Sequence, residues 1–545
     1  MPYVKPGVEI QQVERSQSPV LITPELEAVI VGTPVAYQSP YADDSKASTK
    51  LVIDALSGGA DVTFDVADLG VDKADVITTS VMVDLVCTKG ANVGRRIHMD
   101  GDDFTYAAGT GLFTVNQDPD GVAYDTTIAF TDDDEFDVYV GFAYKNPGGY
   151  GHAIMESISD ITEYLGEPKT FNPLGYGAMV AMQNAGSKVN TFGHDDDTEG
   201  SDNLSNLEMK DIYTIGIMDQ DSTAADIITH VENQSLPAAK HERIAFFNPP
   251  RASEIAEGLT STTRGTSAVT IQQANAALGS KRLFSIHPDR GYVLESRHVS
   301  TLTSAWIIGS FATTAGTTIA SAQNDLPIMA SPIILTSGVK YPAGTVITAT
   351  IWAALVKDGW GEQGEVSVYV PVPGYYYCAA LAGAVVGTLV QQPLTYRAIG
   401  GVNRTYGGLD MFTEANLNTM AEGGTMIIVQ DSKDAPIYVR HQLSTDVTTI
   451  ERKELSITKQ VDYTAKYMRK TLNKYAGKYN ITPKFLKLVE ANLNGVGSDL
   501  VRDGKVANVE VVTVYQDDIS PDTVRAEVIL TVKYPANYIK VRLIV

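Results

Sequence analysis

The chain has 545 residues, 44% of them hydrophobic, and carries a formal net charge of −23. This apolar content is ample for packed cores and excludes an intrinsically disordered chain, and the length predicts roughly three or four domains. The acidic charge argues against nonspecific binding to nucleic acid, whose phosphates would repel it. Two cysteines, Cys87 and Cys378, provide no disulfide framework, which favours a reducing compartment.

Residues 1–25 are predicted to form an N-terminal linker arm. Pro6-Gly7 makes a bend, Val8-Glu9-Ile10 alternates in polarity, and later prolines keep the chain extended. No apolar signal-peptide core is present at this end, so we expect no signal peptide. A frayed terminus is the alternative, but the period of two favours a strand that pairs with another segment.

A β-rich region is predicted to follow. The apolar run Ala28–Gly32 is typical of a strand buried on both faces. Residues 40–147 contain short strand-like runs separated by turns about every eight to twelve residues, which predicts a small antiparallel barrel or sandwich. Between residues 40 and 145 the chain has 20 acidic and 7 basic side chains. Asp132–Asp137 lacks the ligand spacing and the glycine of an EF-hand, so we interpret it as an acidic turn.

Residues 148–345 are predicted to form a central α/β domain. Strand patterns at Ile212–Met218 and Arg243–Phe247 flank a helical pattern at Thr223–Glu232, and short connections between alternating elements imply a partly parallel sheet. His194-Asp-Asp-Asp197 lies in a Gly/Asp-rich stretch. Because no further ligands are evident, we interpret it as a surface loop rather than a metal site.

Residues 346–533 are predicted to be α+β. The apolar run Tyr375–Val390 falls short of the roughly 20 residues that a membrane span needs, and is interpreted as a buried strand and helix. A long helix is predicted at Ile450–Lys478. A second helix follows, with Thr482 as its N-cap and Pro483 at its first position.

Three strand-patterned runs end the sequence. Val506–Tyr515 and Thr523–Lys533 flank a turn and predict a hairpin. Tyr538–Val545 follows as a strand whose edge no later residue of the sequence covers. An isolated hairpin is only marginally stable, and an uncovered edge promotes pairing with another chain. We therefore expect strand exchange with neighbours, with residues 534–545 as a C-terminal linker arm.

The order of motifs along the chain resembles the sheath protein of contractile phage tails and related injection machines. The motifs that carry the resemblance are Tyr3–Ile10, Ala28–Thr33, Ile158–Asn184, Gly401–Thr405, Phe412–Asn416, Ala421–Val429, Lys459–Leu500 and the final hairpin. The resemblance implies that residues 26–39 and 346–533 form a conserved inner sheath domain completed by strand exchange. It also implies that residues 40–147 are a variable outer insertion. An Asp that the family would lead us to expect near Gly383 is absent.

The resemblance also implies a function. Sheath subunits stack as six-fold rings around an inner tube and contract to drive the tube through the host envelope during genome delivery. The expected partners are other copies of the chain, the inner tail tube protein, the baseplate and the tail terminator or neck proteins. The expected location is the virion, after assembly in the host cytoplasm. No enzymatic activity, cofactor, metal, nucleic-acid binding or membrane insertion is expected. A tailocin or another contractile injection system is the alternative.

Two sets of candidate residues follow from these considerations. The first set would take part in inter-subunit strand exchange: Val8, Glu9, Ile10, Val13, Val509, Val511, Val528, Leu530, Ile539, Val541, Leu543 and Ile544. The second would face an acidic tube: Lys466, Arg469, Lys470, Lys474 and Lys478. The lysines of this second set recur at every fourth position, in a stretch (residues 451–490) with ten basic and four acidic side chains. An ordinary solvated helix face is the alternative for that set.

Two rival classes of protein remain open at this point. Gly265-Thr-Ser-Ala268 resembles the nucleophile segment of subtilisin-like proteases, but the accompanying His-Gly-Thr context, a Gly-x-Ser-x-Gly elbow and a phosphate loop are missing. The acidic β-rich insertion would also suit a secreted adhesin, against which the absence of a signal-peptide pattern argues.

Overall fold

The structure is a computed structural model of the chain. It describes residues 25–38, 51–53, 62–69, 71–78, 81–89, 96–99, 104–115, 135–195, 200–218, 223–249, 269–270, 272–298, 306–308, 328–329, 333–334, 340–341, 346–347, 365–405, 412–432 and 435–542. One compact unit comprises residues 26–388 and 393–455, and the described part of the other includes residues 389–392 and 456–542.

The strands are numbered here in chain order. They are β1 (Ala28–Gly32), β2 (Val35–Gln38), β3 (Leu51–Ile53), β4 (Val62–Asp65), β5 (Met82–Lys89), β6 (Arg96–Met99), β7 (Phe104–Ala107), β8 (Leu112–Val115), β9 (Glu135–Lys145), β10 (Gly151–Met155), β11 (Val189–Gly193), β12 (Thr214–Ile217), β13 (Ile244–Phe247), β14 (Leu283–His287), β15 (Arg290–His298), β16 (Trp306–Ile308), β17 (Ile328–Met329), β18 (Ile333–Ile334), β19 (Lys340–Tyr341), β20 (Val346–Ile347), β21 (Glu365–Pro373), β22 (Arg404–Thr405), β23 (Thr425–Val429), β24 (Tyr438–Val439), β25 (Asn508–Gln516) and β26 (Val524–Thr531).

The α-helices are numbered in the same way. They are α1 (Ile158–Leu165), α2 (Pro173–Ala185), α3 (Gly200–Ser205), α4 (Ala224–Gln234), α5 (Tyr376–Val386), α6 (Glu414–Glu422), α7 (Ile450–Lys453), α8 (Leu455–Asn473) and α9 (Pro483–Arg502). The chain is therefore a mixed α/β protein, as its sequence predicts.

An eight-stranded sheet dominates the larger unit. Its strand order is β10-β11-β1-β12-β13-β14-β23-β24. The six strands from β11 to β23 pair in parallel, whereas β10 and β24 are antiparallel edges. The sheet unites strands that the sequence assigned to two domains, since β1 and β23 come from the predicted inner domain. The predicted boundary between residues 345 and 346 is not a boundary between the compact units.

Both faces of this sheet are buried. Ala28 and Ile30 of β1 face a cluster that α2 and α5 cover, while Val29 and Val31 face a second cluster with residues of α4. Helix α5 is buried along its length and packs on α2. The two helices approach so closely that a Cβ at Gly383 would lie 2.1 Å from the carbonyl oxygen of Ala181. The prediction of a buried helix after residue 375 is confirmed.

The acidic region forms antiparallel sheets. Strands β2, β9, β5 and β6 pair in that order, β3 also pairs with β9, and β4-β8-β7 form a separate three-stranded sheet. Phe113 of β8 and Phe142 of β9 are both buried, and their ring centroids are 5.9 Å apart. An aromatic contact therefore joins the two sheets. One of the strand-like runs of this region, Tyr124–Phe130, lies outside the described residues.

The helix predicted at Ile450–Lys478 begins at Ile450 as predicted, but it is interrupted at Glu454 and ends before Lys478. Glu454 adopts an extended conformation between α7 and α8 and forms a bridge with Leu443. Its fully buried carboxylate accepts hydrogen bonds from Gln442 and lies 2.7 Å from His441 Nε2. These contacts with a distant segment interrupt the helix. The helix then ends at Asn473, so Lys474 and Lys478 lie beyond it.

Candidate assembly interface

The terminal hairpin forms a two-stranded sheet. Strands β25 and β26 pair antiparallel from Asn508↔Thr531 to Gln516↔Val524, with a register shift between Val511 and Thr513. Within the described part of the chain, no third strand joins either strand. The predicted hairpin is therefore present, and its two outer edges have no strand partner among the described residues.

One face of the hairpin packs on α9. The side chains of Val509, Val511, Val528 and Leu530 are half-buried, while the residues between them are exposed. A Cβ at Gly497 of α9 would lie 2.9 Å from the Cβ of Val509, so the helix approaches the strand closely because this position carries no side chain. The four hairpin residues predicted for strand exchange thus lie on the helix-facing side.

The opposite face of the hairpin is exposed and partly apolar. Val512 and Ile529 are 50% and 55% exposed. Two glutamates, Glu510 on β25 and Glu527 on β26, are also exposed. Each strand therefore presents one exposed carboxylate. These glutamates are not among the residues that the sequence predicts for strand exchange, although their alternation with Val509 and Val528 is visible in it.

The hairpin turn is closed by a carboxylate. Asp517 accepts hydrogen bonds from the backbone N–H groups of Ile519 (2.8 Å) and Ser520 (3.2 Å), and its other oxygen pairs with the Arg525 guanidinium. The hydrogen bond from the Ile519 N–H, followed by the Arg525 side chain, holds the pKa of Asp517 below its usual value. The turn is therefore fixed by bonds that connect it to β26.

Helices α8 and α9 support the hairpin through a polar network. The Tyr467 hydroxyl donates to Asp499 Oδ2 over 2.6 Å. Lys505 Nζ lies 3.1 Å from the Tyr463 hydroxyl and 3.2 Å from Asp503 Oδ2. Burial, together with the hydrogen bond to Asp499, raises the pKa of Tyr467 well above its usual value. The network joins α8 to the end of α9, just before β25 begins.

The segment after β26 is exposed. Residues 532–542 form no helix or strand, and Tyr538, Ile539 and Val541 are 80%, 85% and 79% exposed. The sequence predicts a strand at Tyr538–Val545, and in the structure its described part, residues 538–542, pairs with no strand among the described residues. Leu543 and Ile544 lie outside the described residues, as do all four candidate residues of the N-terminal arm, namely Val8, Glu9, Ile10 and Val13.

The five basic residues predicted to face a tube do not form one exposed row. Lys466 is only 5% exposed, on the same face of α8 as the buried Lys459 and Asp462. An exposed position for Lys466 is therefore wrong, because this face of α8 is packed. Arg469 and Lys470 are half-buried near the end of α8.

The remaining two basic residues follow α8. Lys474 is half-buried, with its Nζ 4.9 Å from the centroid of the Tyr475 ring, and Lys478 is exposed. Tyr463 and Tyr467 of α8 are buried, since both are at most 5% exposed. Beyond the helix, Tyr479 is 56% exposed, and its ring stacks on that of Phe485 with 5.8 Å between the centroids.

Other candidate sites find little support in the described residues. His194 is buried, with its Nδ1 2.7 Å from the Asp195 carbonyl oxygen, so its predicted surface position is wrong. Within the described ranges, no three His, Cys, Asp or Glu side chains are grouped as a metal ion would need. The Gly265–Ala268 segment and residues 132–134 lie outside those ranges. No described helix combines the length and apolarity that crossing a bilayer requires.

Comparison with known proteins places sheath proteins among the similar structures. No family model matches the chain, and no curated protein matches it. A structure of the anti-feeding prophage baseplate, with six-fold symmetry applied, is 12% identical over 74% of this chain and 89% of its own, with a TM-score of 0.42. The contracted helical sheath of the same prophage is 12% identical over 73% and 89% of the two chains, with a TM-score of 0.41.

A sheath tail protein from Desulfitobacterium hafniense is also similar. It is 11% identical over 94% of this chain and 97% of its own, with a TM-score of 0.36. The chain is thus similar to components of contractile particles, the class of protein that its sequence motifs resemble.

Proposed function

We propose that the chain is a structural subunit of a contractile tail sheath, held to its neighbours by exchanged strands. The observation that carries this proposal is a two-stranded sheet followed by an exposed segment with the sequence pattern of a strand. The β25–β26 hairpin has two edges without a strand partner in the described residues. The apolar side chains of Ile539 and Val541 are largely exposed. One copy therefore offers both a sheet edge and a strand that fits such an edge.

The alternating chemistry of the C-terminal arm supports an arrangement for this pairing. In an extended strand Ile539 and Val541 share one face, while Lys540 and Arg542 share the other. The apolar pair would continue the helix-facing side of a neighbour's hairpin. The two cations would then lie on the exposed side, which carries Glu510 and Glu527. Opposite charges at neighbouring positions of a sheet stabilise it.

Such a contact joins different surfaces of identical subunits. When the arm of each subunit enters the next subunit, and two subunits do not exchange arms reciprocally, repetition of the contact builds rings or helical arrays. In our proposal these are six-fold rings stacked around an inner tube, with the N-terminal arm, residues 1–25, as the second exchanged strand. The arms tether the subunits while the rest of each chain reorients during contraction. The baseplate and the tail terminator or neck proteins would bind the two ends of the stack.

The basic residues at the end of α8 are proposed to contact the tube. The set is now Arg469, Lys470, Lys474 and Lys478, since Lys466 is buried. Exposed ion pairs contribute little each and weaken with salt, which suits a contact that must separate during contraction. We propose the tail of a phage virion, delivering its genome, as the setting, with a tailocin or another contractile injection system as the alternative.

Electron microscopy of the purified full-length chain tests this function. Hollow helical cylinders of uniform width are the expected result, because arms that pass from each subunit to the next join the copies into rings and stacked arrays. Discrete globular particles at all concentrations, with or without added tube protein, would contradict the proposal. Such particles would favour the alternative class, a secreted adhesin, which the acidic insertion of residues 40–147 suggests.

A further inference from the structure

A buried glutamine of α8 binds the main chain at the start of the C-terminal arm. Gln460 is 0% exposed. Its Oε1 accepts a hydrogen bond from the Lys533 backbone N–H over 2.8 Å, and its Nε2 donates to the Lys533 carbonyl over 3.0 Å. The same Nε2 donates to the Ser456 carbonyl over 3.1 Å. The side chain thus binds Lys533 as a neighbouring strand would, with one donor and one acceptor.

The bound residue lies where the hairpin ends. Thr531 is the last residue of β26, and its carbonyl still accepts a hydrogen bond from the Ala507 N–H. Lys533 follows two residues later and also donates from its Nζ to the Gly504 carbonyl over 2.6 Å. Gly504 has a φ of +70° and ends α9 in a left-handed cap. Two helices therefore hold the same residue.

We infer that Gln460 is a positioning residue that fixes the root of the C-terminal arm. We call Gln460, Lys533 and Gly504 the arm-root clamp. The clamp itself is seen in the structure, whereas its role as the anchor of a tether depends on the proposed function. A tether has to start from a fixed point if its far end is to meet a neighbouring sheet edge in register.

The clamp also determines which hydrogen bonds first resist a force applied to the C-terminal arm. Without it, tension at residue 534 would reach Thr531 first and would break the β25–β26 ladder one hydrogen bond at a time from its open end. With it, tension is met first by hydrogen bonds between Lys533 and the two helices. Burial strengthens this resistance, because breaking the bonds leaves the Gln460 amide unpaired in a water-excluded position. The clamp therefore protects the hairpin while the arm carries load.

Hydrogen exchange on the full-length chain, kept monomeric, tests the clamp directly. Q460M preserves the length of the side chain and removes all three hydrogen bonds, while Q460E retains an acceptor for the Lys533 N–H but loses the donor. N473M, at the exposed end of the same helix, is the matched control. We expect roughly 10- to 100-fold faster exchange of the Lys533 amide in Q460M. Q460E should lie between wild type and Q460M, and N473M should match wild type.

Two results would overturn the inference. One is an unchanged exchange rate at Lys533 in Q460M. The other is an equal acceleration throughout β25 and β26, which would mean that Gln460 stabilises the whole hairpin rather than the arm root. If Q460M does not fold, the milder Q460E supplies the same comparison.

The assembled state provides a second readout. Cylinders of Q460M should form but fragment at a lower urea concentration than wild-type cylinders, as measured by sedimentation. If Q460M and wild-type cylinders fragment at the same urea concentration, the clamp does not resist force on the arm. Absence of cylinders from wild-type protein would instead refute the proposed function, and the exchange experiment would still test the clamp.

Discussion

The charges of the C-terminal arm provide a quantitative test of strand exchange. Reversing both cations, in K540E/R542E, would place two carboxylates beside the exposed Glu510 or Glu527 of a neighbour. An opposite-charge pair in a sheet contributes roughly 0.2–1 kcal/mol, and like charges destabilise by a similar amount. The double reversal should therefore weaken each contact by about 1–2 kcal/mol, which is roughly a 5- to 30-fold rise in critical concentration.

The assay is the critical concentration for polymerisation, measured by sedimentation at low salt. The effect should shrink at high salt because these charges are exposed. Adding E510K or E527K to the reversed chain should restore assembly, and whichever restores it identifies the strand whose edge receives the arm. K169E/K240E, at two exposed lysines of the other unit, is the matched control. An unchanged critical concentration, or a defect that neither lysine relieves, would refute this register.

Three further predictions concern the supporting structure. Gly383→Ala should destabilise the large unit by about 1–3 kcal/mol in urea denaturation, because overpacking forces backbone shifts where a Cβ would meet the Ala181 carbonyl; equal stability would contradict this packing. Burial lowers the pKa of His287 to about 4. The contribution of neutral His287 to the free energy of unfolding is therefore fully present above pH 6.5. It is lost as the pH falls towards 4, by about 3 kcal/mol in total. His287→Phe should remove that part of the acid-induced loss of stability, and an unchanged dependence of the free energy of unfolding on pH would contradict this. Finally, K470E/K474E should reduce binding to tube protein in co-sedimentation, and binding equal to that of the K169E/K240E control would contradict a tube-facing role.

The sequence predicts locally encoded features well. The hairpin follows from alternating residues on either side of an Asp-rich turn, and the observed strands begin and end within two residues of the predicted runs. The N-cap at Thr482 is also confirmed, since its hydroxyl accepts from the Phe485 N–H. Both features depend on residues that are close together in the chain, so the sequence alone is enough to predict them.

Features set by distant contacts could not be predicted in this way. The break at Glu454 requires Gln442 and His441, which lie on a preceding segment that only the fold brings beside it. Likewise, a lysine row at every fourth position predicts one helix face but does not reveal what packs on it, so the burial of Lys466 was missed. Gln460 and Lys533 are 73 residues apart, and no local pattern links them.

The most direct test of the account is removal of the terminal strand. A chain lacking Ile539–Val545 should remain a folded monomer, because residues 539–542 pair with no strand in the part of the chain that the structure describes. We predict a circular dichroism spectrum like that of the full-length protein and no cylinders in electron microscopy at any accessible concentration. Cylinders formed by the truncated chain would contradict strand exchange through the C-terminal arm.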